Sequence, residues 1–269
     1  MRLAAIQMTS GPEPHANLVE AGRLIAQAAA AGARLVALPE NFALMPRTDA
    51  ERLAAAEPEG RGPLQDFLAR EARACGVWLV GGTIPLVGRQ PGKVRAACLV
   101  YDERGARVAR YDKIHLFDVA LGNEERYQES AFIEAGEEPV TVATPFGRLG
   151  LAVCYDLRFP ELFRRLLAQG AEIFAVPSAF TERTGRAHWE LLVRARAVEN
   201  LAGVIAPAQV GRHVNGRETW GDSMIVGPWG EILDRRARDP GVVLAELDLE
   251  SLRRLRATFP SIHHRRLNA

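Results

Sequence analysis

Short unbroken apolar runs alternate with longer stretches whose apolar residues recur at helical spacing, and the pattern persists from end to end. Residues 3–8 read as a strand, and His15 to Ala31, with Leu18, Leu24 and Ile25 on one side, as a helix stopped by Gly32. Arg34 to Leu38 reads as a buried strand stopped by Pro39, with Glu40, Asn41 and Phe42 on the loop beyond it. A passage rich in Pro, Gly and Glu leads into a helix from Leu64 to Cys75, ended by Gly76, and Val77 to Ile84 is the next expected strand. Ala97 to Tyr101 is expected to pair with Arg107 to Tyr111 about the turn Asp102 to Gly105. From Asp118 to Pro139 the chain is polar and unpatterned, a long loop of the kind that usually carries function. Leu149 to Val153 is a strand ending in Cys154, and Pro160 opens a helix to Leu167. The tail, Leu252 to Arg266, reads as a short basic helix followed by Pro260 and His263-His264.

The second half of this pattern repeats the first. Ala31-Gly-Ala-Arg-Leu-Val-Ala-Leu-Pro39 can be laid on Gln169-Gly-Ala-Glu-Ile-Phe-Ala-Val-Pro177, a displacement of 138 positions, from 31 to 169. The helix–Gly76–strand unit has a counterpart in Trp189 to Ala202, Gly203, and Val204 to Ala206, and the hairpin around Gly105 in Ser223 to Leu233. Two such halves predict an α/β protein in which two sheets pack face to face with helices outside, a four-layer α-β-β-α sandwich with an internal pseudo-two-fold repeat. No linker composition separates them, so residues 1–269 read as a single domain.

Composition narrows the partners. The 269 residues are 48% hydrophobic and 25% charged with a formal net charge of +1, which gives no electrostatic reason to expect nucleic acid or an anionic membrane. Cys75, Cys98 and Cys154 are odd in number and lack metal-ligand spacing, so neither a disulfide framework nor a metal site is expected. The N-terminus turns polar too soon for a secretory segment, and no apolar run approaches the ~20 residues that span a bilayer. A cytoplasmic protein is the expectation.

Three residues lie just past predicted strands, where ligands meet the carboxyl ends of a sheet. Cys154 is either a small buried apolar residue or a nucleophile whose following peptide N–H groups face an oxyanion. Glu40 is either a solvated loop carboxylate or a general base with its pKa lifted by an enclosed site. Lys113 is either a solvated ammonium or a stabiliser of a tetrahedral intermediate. Other constellations are missing: there is no HExxH, no Gly-rich phosphate loop and no G-x-S-x-G, and Gly81-Gly82 is a bare pair of glycines at a strand end.

The stretches Leu38-Pro-Glu-Asn41, Tyr111-Asp-Lys-Ile-His-Leu-Phe-Asp118 and Gly150-Leu-Ala-Val-Cys-Tyr-Asp-Leu-Arg-Phe-Pro-Glu161 resemble the three signatures of the nitrilase (carbon–nitrogen hydrolase) superfamily, in that family's order. The resemblance runs from Ile6-Gln7 to Arg265-Arg266. It implies an amidase with the triad Glu40, Lys113 and Cys154, an auxiliary Glu129, the Tyr155 backbone N–H as oxyanion donor, no cofactor, and assembly as a homodimer or a larger homo-oligomer. Its substrate is then a small carboxamide, converted to acid and ammonia through a thioester.

Pro177 to Glu190, Ala206 to His213 and Gly221 to Val226 resemble the deaminated glutathione amidase branch, whose reaction releases 2-oxoglutarate and Cys-Gly; the ω-amidase branch is the alternative, and a catalytically silent scaffold the alternative of another class. Gly221-Asp222-Ser223 and an insert from Val119 to Tyr127 depart from the branch pattern and are expected at the pocket rim. Substrate carboxylates call for guanidinium partners, and Arg158, Arg183, Arg186 and Arg212 are the candidates, with a pairing of Arg158 to Asp156 or Glu161 as the structural alternative for that residue.

Overall fold

The computed structural model describes residues 1–121 and 125–267. Its strands are β1 (Arg2–Gln7), β2 (Leu35–Ala37), β3 (Trp78–Val80), β4 (Ile84–Val87), β5 (Val94–Tyr101), β6 (Arg107–Asp112), β7 (Asp118–Leu121), β8 (Glu125–Gln128), β9 (Thr141–Thr144), β10 (Gly147–Leu151), β11 (Ile173–Ala175), β12 (Gly203–Ala206), β13 (Val210–Arg212), β14 (Glu218–Trp220), β15 (Ser223–Val226), β16 (Ile232–Arg236) and β17 (Gly241–Glu246). The α-helices are α1 (Pro14–Ala30), α2 (Asp49–Ala54), α3 (Pro63–Cys75), α4 (Pro160–Ala168), α5 (Glu182–Asn200) and α6 (Leu249–Thr258).

The internal repeat is a repeat of topology. In the first sheet β17 pairs antiparallel with β1, β1, β2 and β3 run parallel, and β5 and β6 follow antiparallel. In the second, β9 pairs antiparallel with β10, β10, β11 and β12 run parallel, and β15 and β16 follow antiparallel. Strands β1, β2, β3 and β5 of the first sheet are buried on both faces because alternate residues serve different neighbours. Leu3, Ala5, Leu35, Ala37, Val80 and Val100 share a core with Leu149, Leu151, Ile173, Ala175 and Val204 of the second sheet. Ala4, Ile6, Val36, Leu38, Leu79 and Leu99 instead meet Leu24, Ile25, Phe67 and Leu68 of α1 and α3. On the far side Phe163 and Leu166 of α4 and Trp189 and Val193 of α5 close the second sheet. The order helix, sheet, sheet, helix is the expected α-β-β-α sandwich.

Three local expectations are corrected. Val77 to Ile84 is not one strand: β3 and β4 pair in turn along the same edge of β5, and the chain breaks between them at Gly81-Gly82. Gly82 has φ 55°, and a Cβ there would stand 2.1 Å from the Pro39 carbonyl oxygen, so the break is where the strand makes room for the segment carrying Glu40. The polar stretch after Asp118 is not a plain loop but opens with the hairpin β7–β8, Asp118 opposite Gln128. Finally, α5 is ended by Leu201 in the left-handed conformation, not by Gly203, which begins β12. A Cβ on Gly203 would lie 2.5 Å from Leu247, so that glycine serves close packing.

Candidate active site

The segments after β2, β6 and β10 converge on one buried enclosure. Glu40 is 3% exposed, Lys113 1% and Cys154 6%. Lys113 Nζ donates to Glu40 Oε1 at 2.8 Å and to both oxygens of Glu129 at 2.9 Å. The Ala179 N–H donates to Cys154 Sγ at 3.5 Å, and Glu40 stands close enough for its carboxylate and the thiol to act on one another.

Each group is held by its own backbone. Asn41, in the left-handed region, donates its N–H to Thr83 Oγ1 at 2.9 Å, and Gln209 Nε2 donates to the Glu40 carbonyl, so Glu40 is pinned on both sides. Lys113 extends the ladder of β6, donating its N–H to Ala96 O and accepting from Gly136. Glu129 accepts the Phe117 N–H at 2.7 Å, which ties the turn after β8 to the Lys113 segment. Cys154 has φ 49°, a conformation that costs a non-glycine residue ~1–2 kcal/mol. It opens a 3-10 turn, Cys154–Arg158, so Tyr155 lies at the start of that turn, where N–H groups have no carbonyl of the turn to bind.

Asp156 fixes that turn against the Lys113 segment. Fully buried, it accepts from Tyr111 Oη at 2.6 Å, from the Val153 N–H at 2.8 Å and from the His115 N–H at 3.0 Å, and lies 2.7 Å from His115 Nδ1.

The electrostatics assign protonation states. Burial pushes the Glu40 carboxyl up, but the Lys113 ammonium, the Arg217 guanidinium and the Cys154 thiol outweigh it, so Glu40 sits below the ordinary carboxylate value. The expectation of a lifted Glu40 is therefore overturned: the enclosure alone would lift it, but it is not enclosed alone. Burial works against the Lys113 charge, yet the Glu129 and Glu40 carboxylates prevail and raise its pKa. Burial and the Glu40 charge raise the Cys154 thiol, against the pull of Lys113 and the Ala179 N–H. The free site thus holds a carboxylate, an ammonium and a neutral thiol.

A cavity of about 360 Å³ opens over these groups. Its charged lining comprises Lys113, Arg52, Arg126, Arg158 and Arg217 against Glu40, Asp49 and Glu129, five cations to three anions. Phe117, Tyr127, Phe132, Tyr155 and Phe180 supply the apolar wall. Of the four expected arginines only Arg158 belongs to this lining. It pairs with neither Asp156 nor Glu161 but lies over the Tyr155 and Phe180 rings, at 5.7 and 5.2 Å, with Nη1 3.3 Å from His188 Nδ1. Arg183 and Arg186 are on the first turns of α5, not on loops, and both are exposed; Arg186 faces Glu182 at 3.9 Å. Arg212 ends β13, exposed.

Sequence reasoning missed Arg52, on the short helix α2, and Arg217, at the turn between β13 and β14, because a guanidinium on a helix or turn reads as solvated. The insert Val119 to Tyr127 does reach the rim through Arg126 and Tyr127; its residues 122–124 lie outside the described residues. Gly221-Asp222-Ser223 does not line the cavity: Asp222 pairs with Arg235 and the Ser223 hydroxyl bonds Gln7 Oε1, behind the site.

The sequence model of the carbon–nitrogen hydrolase family matches residues 2–257. The chain is 42% identical over 266 residues to the deaminated glutathione amidase of Yersinia enterocolitica, covering 98% of this chain and 92% of that one. It is 35% identical over 270 residues to the omega-amidase NIT2 of Xenopus tropicalis, covering 98% and 95%. The crystal structure of Saccharomyces cerevisiae Nit3, a member of branch 10 of the nitrilase superfamily, superposes with a TM-score of 0.89 at 31% identity, covering 99% of this chain and 97% of that one. Signatures, fold and relatives agree: the chain belongs to the carbon–nitrogen hydrolase family of the nitrilase superfamily and is a hydrolase of carbon–nitrogen bonds other than peptide bonds.

Proposed function

We propose that the chain is a deaminated glutathione amidase, splitting the amide to 2-oxoglutarate and Cys-Gly through a thioester on Cys154. As the sulfur attacks the amide carbon, the Glu40 carboxylate takes the thiol proton and the C–S bond forms. Lys113 and the Tyr155 N–H hold the resulting oxyanion. The intermediate collapses with cleavage of the C–N bond, and Glu40 returns its proton to the departing amine. Glu40 then takes a proton from water, whose oxygen attacks the thioester, and the sulfur leaves and is reprotonated. Glu129 positions Lys113 from the far side, its two oxygens sharing one N–H, so that with Glu40 on a second the third is left for the oxyanion.

The leaving group needs one correction. Deaminated glutathione is a secondary amide, so the amine of Cys-Gly departs; ammonia departs only from a primary amide such as 2-oxoglutaramate.

The observation that carries this reading is the surplus of cations around a buried Glu40–Lys113–Cys154 cluster, matched to a substrate with a carboxylate at each end. The relative at 42% identity supports this branch. ω-Amidase action on 2-oxoglutaramate is the second reading, supported by the relative at 35% and by chemistry that needs only one carboxylate. Following 2-oxoglutarate formation from both substrates separates them: a higher kcat/KM for deaminated glutathione is expected, and a large preference for 2-oxoglutaramate would overturn the branch. Cytoplasmic metabolite repair and assembly as a homodimer or a larger homo-oligomer belong to the same proposal. Among the described residues no helix is long and apolar enough to cross a membrane.

A further inference from the structure

Arg217 stands out among the cavity cations. It follows Asn215-Gly216 in the turn between β13 and β14, where Gly216 has φ 84° and the Arg217 N–H donates to Asn215 Oδ1 at 3.0 Å. His213 donates its N–H to the Arg217 carbonyl at 2.8 Å, and its ring bridges Ser10 O and Thr219 Oγ1, so the turn is anchored on both sides. From this support the side chain reaches the cavity wall. Its Nη2 donates to the Ala179 carbonyl, the same residue whose N–H contacts Cys154 Sγ, and its guanidinium lies 5.5 Å from the Tyr127 ring centroid. The Nε–H is buried and has no acceptor among the described residues. A buried guanidinium N–H without an acceptor is costly, and a ligand oxygen is the group that would relieve it.

The other guanidiniums are placed differently. Arg52 is also near enough to feel Glu40 and Glu129, but it donates to Asn41 Oδ1 at 2.9 Å and faces Asp49 at 3.9 Å, so part of its charge is answered inside the protein. Arg158 stands over two rings further along the wall. Arg217 is close enough to the reacting groups for its charge to act on Glu40.

We propose that Arg217 is the specificity-determining residue for the acyl half of the substrate, binding the carboxylate carried by the amide-bearing acid itself. Arg158 is left for a carboxylate on the leaving half. The assignment rests on the acidic-amide reading of the site and gives it a named partner. It also explains how both candidate substrates, which share an acidic acyl half and differ in the leaving amine, fit one cavity.

Succinamate and butyramide provide the test, being primary amides of equal length that differ in a terminal carboxylate. Wild type is expected to prefer succinamate. In Arg217→Gln, kcat/KM for succinamate should fall roughly 10- to 100-fold, mainly through KM, as loss of a hydrogen bond to a charged group implies. Butyramide should lose markedly less, because that substrate never used the contact and whatever the lost charge does to Glu40 falls on both amides alike. Arg217→Lys keeps the charge without the planar fork and should fall between the two. Alkylation of Cys154 by iodoacetamide at the wild-type rate checks that the site is intact. A wild type without preference overturns the acidic-amide reading and the assignment together. A wild-type preference that survives in Arg217→Gln overturns the assignment and leaves the reading standing, as does an equal loss for both amides.

Discussion

Three ionisable side chains set one another's charge here, and none has the state it would have alone. Glu40 is buried and yet ionised because Lys113 is 2.8 Å away, and Lys113 keeps its proton because two carboxylates face it. The thiol stays protonated because a thiolate beside Glu40 would put two anions together in a water-poor enclosure. On the proposed mechanism the nucleophile is therefore made during attack, by transfer to Glu40, and is not stored as a thiolate. A pH profile follows from the signs. With Glu40 as the proposed base, activity needs its carboxylate, whose pKa is lowered, so the acid limb of kcat/KM should lie below the ordinary carboxylate value of 4.5, provided the fold persists there. The thiol and the ammonium are both raised, so neither should impose a limb near neutrality, and a fall between pH 6 and 8 would contradict the assignment. Glu40→Gln removes the proton acceptor and should lower kcat by about 10²- to 10⁴-fold while Lys113 keeps Glu129 as partner. At this scale the sequence was informative for Glu40, Lys113 and Cys154, since each follows a strand within a recognisable signature. It was uninformative for Arg52 and Arg217, which lie outside every signature and meet the site only through tertiary packing.

Elements position those side chains through a few close approaches. Gly82 lets the Pro39–Glu40 segment pass within a distance that no side chain tolerates. Gly82→Ala must therefore shift Glu40 or the β3–β4 break, and it adds a left-handed alanine at ~1 kcal/mol. Activity should fall by about 10²-fold, more than the stability loss alone accounts for, because displacing the base by ~1 Å is enough. Thermal unfolding and kcat measured on one preparation check this; wild-type kcat would show that the glycine serves only the fold.

Asp156 plays the comparable part for the nucleophile, joining the Cys154 turn to Tyr111 and His115 on either side of Lys113. Asp156→Asn keeps the shape but turns an acceptor into a donor beside the Val153 N–H, and should cost about 1–3 kcal/mol by denaturant unfolding. These relations explain which elements were legible. The long periodic helices and the apolar strands appear nearly where the pattern puts them. The hairpin β7–β8 does not, because four-residue strands with polar ends carry too short an alternation to register. The break at Gly81-Gly82 was hidden because its cause, the Pro39 carbonyl, lies more than forty positions away in the chain.

On the scale of the molecule, the repeat puts Glu40 and Lys113 on one sheet and Cys154 on the other, so the reacting groups meet only when the two halves share a core. The repeat itself was readable from the displaced segments; the cavity was not, being made of residues from both halves and from the hairpin. An apolar patch lies on the outer side of the second half. Leu191 and Val198, one heptad apart on α5, are 69% and 47% exposed, and Trp229 and Phe259, 61% and 49% exposed, stack edge-on at 5.4 Å. The Arg194 side chain binds the Gly230 carbonyl and brings the Trp229 turn against α5. If the proposed self-association uses this patch, Val198→Asp should shift the assembly toward monomer in analytical ultracentrifugation.

The proposed reaction passes through a covalent step at one sulfur. Intact-mass analysis of enzyme quenched in acid during turnover of deaminated glutathione tests it most directly. A fraction of the chain should be heavier by one 2-oxoglutaryl group, mapped to Cys154 and absent from Cys154→Ala, which should not turn over. Turnover that survives Cys154→Ala, with no acyl group on the chain, would contradict it.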